Sequence, residues 1–125
     1  MNKVLFFSAL AFYSTLIAQK KVSEKTSMNP IFKGWYGDPE AVIFDKTYWV
    51  YPTYSAKYED EVFLDAFSSP DLVNWTKHPR IIDTTAVKWA KKTMWAPAIV
   101  KNNNKYFLFF SANDIQNNNE IGGIG

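Results

Sequence analysis

From residue 30 onward the chain has no long stretch in which apolar side chains recur at i, i+3, i+4 and i+7. The hydrophobic positions gather instead in short segments rich in β-branched and aromatic residues, the pattern of strands. Ala41-Val42-Ile43-Phe44 predicts a first strand, Asp45-Lys46-Thr47 a turn, and Tyr48-Trp49-Val50-Tyr51-Pro52-Thr53 a second strand. Residues 61–68 predict a third, closed by a turn at Ser69-Pro70-Asp71. Residues 74–78 predict a short outer strand that Pro79 ends. Residues 84–94 fit either a loop or one or two helical turns.

The pattern then restarts. With Pro39 set on Pro97, Ala41-Val42 falls on Ile99-Val100 and the turn 45–47 on Asn103-Asn104-Lys105. In the same frame Tyr48-Trp49-Val50-Tyr51 falls on Tyr106-Phe107-Leu108-Phe109, and Thr53 on Ser111. A gap-free repeat with about four short strands per unit predicts an all-β fold, a β-propeller. At this repeat length four or five blades take roughly 230 to 290 residues. The 125 residues are therefore expected to form an incomplete ring of about two blades. Such a ring leaves an open apolar flank, which predicts poor solubility or association.

The first residues follow a different rule. Lys3 precedes an apolar run from Val4 to Ile17, and polarity begins abruptly after Ala18. The run is shorter than the roughly 20 residues that span a bilayer, and its layout is that of a secretory signal peptide. Residues 1–18 are expected to be removed, residues 19–29 to form a polar leader, and residues 30–125 to be the amino-terminal part of the propeller domain. The mature chain is then expected outside the cytoplasm, secreted or periplasmic, with no membrane attachment.

Composition narrows the chemistry. Aromatic residues make up 18% of the chain, which excludes a disordered polymer. There is no cysteine, hence no disulfide framework, thiolate metal site or thiol nucleophile. A net charge of +2 carries no footprint for nucleic acid. One histidine argues against a Ser-His-Asp triad or a histidine metal centre. No cofactor is called for, and a structural cation stays open.

In each repeat the first strand leaves one face of the disc and the second returns to it. Tyr36, Gly37, Asp38, Tyr54 and Ser55 should therefore share a rim with Met94, Trp95, Asn113 and Asp114. Aromatic faces and fixed polar groups of this kind suit polyhydroxylated ligands, and an oligo- or polysaccharide is the expected partner. Trp95, Tyr54 and Asn113 are the candidate sugar contacts. Asp38 stands out because its repeat equivalent is Ala96, so the fold alone does not require a carboxylate there. Capping the Asp-Pro turn and acting on a ligand both fit its position, and spacing leaves both open. Asp45, Asp71 and Asp83 read as turn residues, Asp65 as a paired structural carboxylate and His78 as a surface residue. Asn74-Trp75-Thr76 fits a glycosylation sequon.

Asn29-Pro30-Ile31, Tyr36-Gly37-Asp38-Pro39-Glu40-Ala41, Tyr48 to Thr53, Ser68-Ser69-Pro70-Asp71-Leu72-Val73-Asn74-Trp75 and Trp95-Ala96-Pro97, in that order, resemble the amino-terminal part of family 43 glycoside hydrolases. The resemblance implies a five-bladed propeller and inverting hydrolysis of arabinofuranosides, xylosides or galactofuranosides. The family's general base maps onto Asp38, and an aspartate is ordinarily ionised at neutral pH, as a base must be. An inverting enzyme holds its acid about 6.5–9.5 Å away, leaving room for water. The family's acid, a Glu, and its pKa-tuning Asp come from later blades, so these residues alone are expected to be inactive. Trp95 matches an aromatic that lines the family's sugar subsites. Many members carry an acidic residue after Trp-Ala-Pro, where this chain has Ala98. A non-catalytic carbohydrate-binding propeller is the alternative, and a structural propeller with protein partners a third reading.

Overall fold

The computed structural model describes residues 26–113 and 121–125. The proposed signal peptide, part of the polar leader and Asp114 lie outside the described residues. The first blade is a four-stranded antiparallel meander of β1 (Tyr36–Phe44), β2 (Thr47–Tyr54), β3 (Phe63–Ser69) and β4 (Thr76–Asp83), paired in that order. The second sheet pairs β5 (Trp95–Asn102), β6 (Lys105–Ala112) and β7 (Gly123–Ile124). This is the incomplete propeller that the repeat predicts, one whole blade followed by part of another.

The repeat holds at the level of single residues. The hairpin of β1 and β2 turns on Asp45 and Lys46, at φ 48° and 65° between the paired Phe44 and Thr47. Two left-handed residues in a two-residue loop give the twist that adjacent strands need. The second hairpin turns between Asn102 and Lys105, with Asn103 at φ 55°. Asparagine is among the few side chains that tolerate this region readily.

Both inner strands carry the same bulge. Gly37 pairs with Thr53 and Glu40 with Tyr51, so Asp38 and Pro39 stand opposite Pro52 alone. In the second blade Trp95 pairs with Ser111 and Ala98 with Phe109, so Ala96 and Pro97 stand opposite Phe110. The first bulge residue is left-handed in each, Asp38 at φ 43° and Ala96 at φ 45°. Proline fits because a bulge asks for no ladder donor there. The Asp-Pro pair therefore lies inside a strand, and β1 begins five residues before the expected Ala41.

Pro79 also bends a strand without ending it. β4 runs on to Asp83 because β3 and β4 shift register between Leu64–Ile82 and Ala66–His78. The Asp65 side chain fills the gap, its Oδ1 accepting from the amide of Arg80 at 2.8 Å. Its Oδ2 accepts from the Tyr36 hydroxyl and pairs with Lys77 Nζ, both at 2.8 Å. Burial pushes the Asp65 carboxyl up. The Lys77 hydrogen bond, the Arg80 amide and the Tyr36 hydroxyl outweigh this and hold it below the usual carboxylate range. Asp65 is thus the paired structural carboxylate its setting predicts.

The core between the sheets is small. Leu64, Ala90, Met94, Phe110 and Ala112 are buried together, with Ile82, Val87 and Leu108 packed against them. Met94 belongs to this cluster, so it does not stand on the rim as expected. Residues 84–94 form a loop of turns with no helix, started by Asp83, whose Oδ1 accepts from the Thr85 amide at 2.9 Å. On the other face of the first blade the segment before β1 folds back. Gly34 at φ 123° allows the reversal, and Phe32 stacks on Phe67 at 3.7 Å between centroids. His78 is half-buried: it stacks on Trp49 and meets the Ser68 hydroxyl at 2.8 Å, so it is not a free surface side chain. Among the described residues no helix is long and apolar enough to cross a membrane.

Candidate active site

Asp38 sits at the start of β1 with its side chain exposed, on the bulge shared by both blades. Because Ala96 adopts the same left-handed backbone, the conformation belongs to the fold. What distinguishes position 38 is the carboxylate. Its Oδ2 accepts from Thr53 Oγ1 at 3.3 Å. Thr53 is buried, and the same hydroxyl oxygen accepts from the amide of Ala96 at 2.8 Å. One threonine thus joins the Asp38 carboxylate of the first blade to the inner strand of the second. The hydroxyl's single proton is free for Asp38 because the other donor in the chain is the Ala96 amide.

Trp95 immediately precedes Ala96, and the loop after β2 holds its side chain. Its ring is half-buried and its Nε1–H donates to Glu61 Oε2. Tyr58 meets it edge-on at 5.1 Å between centroids. The Ser111 hydroxyl donates to its carbonyl at 3.3 Å. A carboxylate and an indole face are parts that suit a sugar site, one for proton transfer and one for the C–H surface of a ring.

Tyr54 follows Thr53, but its ring lies in an aromatic stack. It packs on Phe63 at 4.9 Å and meets Tyr36 edge-on at 5.8 Å. Asn113 is buried and left-handed at φ 63°. Its Oδ1 accepts from the amides of Lys91 at 2.8 Å and Lys92 at 3.4 Å. Its Nδ2 donates to the carbonyls of Trp89 and Ile121, both at 3.1 Å. This amide ties the loop before β5 to the end of β6, and its polar atoms are occupied by backbone. Among the described residues no group of three or more side chains suited to a cation comes together.

Thr53 and Glu61 were not singled out by sequence reasoning. Their partners lie 43 and 34 residues away. The one available signal was an acidic residue, Glu61, at the edge of an otherwise apolar run.

The sequence profile of glycosyl hydrolases family 43 matches residues 27–125, and the chain belongs to this family. It is 48% identical to the beta-D-galactofuranosidase xynD of Aspergillus niger, a match covering 69% of this chain and 28% of that protein. It is 27% identical to the xylosidase/arabinosidase 43A of Humicola insolens, over 70% of this chain and 31% of the other. Among solved structures, the GH43_1 enzyme from Xanthomonas citri in complex with xylotriose superposes with a TM-score of 0.62 and 24% identity, covering 73% of this chain and 27% of that one. CoXyl43, a β-xylosidase/α-arabinofuranosidase from a compost metagenome, superposes with a TM-score of 0.59 and 24% identity, covering 73% and 30%. The chain spans about a third or less of the length of each of these relatives.

Proposed function

We propose that these residues form the opening portion of an inverting glycoside hydrolase that works outside the cytoplasm, with Asp38 as its general base. The observation that supports the reading is the hydrogen-bonded chain from the exposed Asp38 carboxylate through Thr53 to the amide of Ala96, the residue after Trp95. In this mechanism Asp38 takes a proton from water as the oxygen attacks the anomeric carbon. A second carboxylic acid, carried on other blades, protonates the departing glycosidic oxygen. The bond to the leaving group breaks as the water oxygen bonds from the opposite face, so the anomeric configuration inverts.

The substrate class is arabinofuranoside, xyloside or galactofuranoside side chains of polysaccharides. The 48% identity to a beta-D-galactofuranosidase favours the last of these. Trp95 is the sugar platform. Tyr54 takes part through the edge of its stack, and Asn113 is assigned to the scaffold. No cofactor is assigned.

The test is hydrolysis of aryl galactofuranosides, arabinofuranosides and xylosides by the full-length protein, with the product anomer followed by NMR. Asp38→Asn is expected to lower turnover by about 10²–10⁴-fold with the melting curve preserved. Unchanged turnover would remove Asp38 from the mechanism. Sugar binding without hydrolysis would instead establish a binding propeller.

A further inference from the structure

We propose that Glu61 is a positioning residue that fixes the indole of Trp95 as one wall of the sugar site, an inference that rests on the glycosidase reading above. Glu61 is a carboxylate with only 4% of its surface exposed. Burying a carboxylate is costly unless its oxygens are hydrogen-bonded. Each oxygen here has one donor: Oε1 accepts from the Ala56 amide at 3.0 Å, and Oε2 from Trp95 Nε1. The ion pairs found among the described residues join Lys77 to Asp65, Arg80 to Asp83 and Lys101 to Asp45, and none includes Glu61. Its two oxygens are therefore directed at one indole edge and one loop amide.

The surrounding contacts work in the same direction. The Glu61 carbonyl accepts from the Met94 amide at 2.8 Å, and the Tyr58 carbonyl from the Thr93 amide at 3.2 Å. The Tyr58 ring closes edge-on against Trp95. The loop that follows β2 thus clasps residues 93–95 by backbone, side chain and ring. An indole anchored by its N–H edge keeps its face for a ligand and loses little freedom when one binds. A neutral amide at position 61 would not serve, since its NH2 would stand where one carboxylate oxygen now accepts and would set a donor against a donor.

The test compares wild type, Glu61→Gln and Trp95→Phe in the full-length protein. It reads KM and kcat on an aryl galactofuranoside and the ¹H–¹⁵N resonance of the Trp95 indole, assigned by its loss in Trp95→Phe. For Glu61→Gln, KM is expected to rise about tenfold, kcat to change less than about twofold, and the indole proton to move upfield. A lowered melting temperature with unchanged KM would make Glu61 a merely structural carboxylate and overturn the inference. If Trp95→Phe raises KM and Glu61→Gln does not, the platform stands and the positioning role fails. If Trp95→Phe leaves KM unchanged, the reading of the site fails and the inference with it. Should Glu61→Gln not fold, Glu61→Asp keeps the charge and withdraws it by one methylene. A raised KM in that variant supports the inference, and an unchanged KM overturns it.

Discussion

Asp65 shows how much a single buried carboxylate can settle. It satisfies the amide that the Pro79 bend would otherwise leave unpaired and gathers Tyr36 and Lys77 around itself. The same contacts make stability depend on acid. Its carboxyl titrates lower in the folded chain than the ordinary value of about 3.9, so the folded state holds fewer protons than the unfolded state as pH falls. Its contribution is complete above that value and disappears as pH drops through the lower, folded one. Denaturant midpoints measured from pH 7 to pH 3 should therefore show a smaller acid loss in Asp65→Asn than in the wild type. At pH 7 the variant should be less stable by roughly 1–3 kcal/mol. Asp71 and Asp83 keep the rest of the acid limb. The Asn74 amide leads in holding Asp71 low, and the Thr85 hydroxyl leads in lowering Asp83 to about 2. An identical pH profile in Asp65→Asn would contradict this account.

The repeated element is the bulged inner strand with its hairpin. At Ala96 it forces a left-handed backbone on a residue that disfavours it, at a cost of about 1–2 kcal/mol. Ala96→Gly should therefore be neutral or stabilising, whereas glycine in a strand interior ordinarily costs about 0.5–1 kcal/mol. Thermal melts of the two forms check this, and a loss of that ordinary size would show that the bulge is relaxed. The hairpins were legible in the sequence because their information is local: alternation, two turn residues and an aromatic pair recurring in frame. The bulges were not. A proline inside a run reads as a stop, and only the partner strand shows that the chain continues past Pro39 and Pro79. Met94 failed for a related reason. A position flanking a strand can lie on the rim or in the core, and the choice was made by Leu64 and Phe110, neither of them near it in sequence. Asp38 and Trp95 are candidates that motif and repeat supply. Thr53 and Glu61 act through contacts that no spacing rule reaches.

At the scale of the whole molecule, one face of the second blade is apolar and open. Leu108, Phe110 and Ala112 point into the core between the sheets, so the alternating Phe107 and Phe109 point away from it. Both are about half exposed, at 45% and 46%, and Val100 beside them is 52% exposed. A contiguous apolar surface of this kind favours association. A polypeptide of these 125 residues should self-associate with rising concentration in sedimentation velocity, and Phe107→Lys with Phe109→Lys should return it toward the monomer. A wild-type chain that stays monomeric at high concentration would show this face to be harmless.

The Thr53 link has a consequence for anyone exchanging modules among such proteins. Thr53 makes its bond to the second blade through the peptide N–H at position 96, which every residue except proline supplies. A donor module of quite different sequence would keep the aspartate aligned, provided its backbone follows the same path at that point. The alignment of Asp38 is in this sense indifferent to the neighbour's side chains and sensitive to its shape.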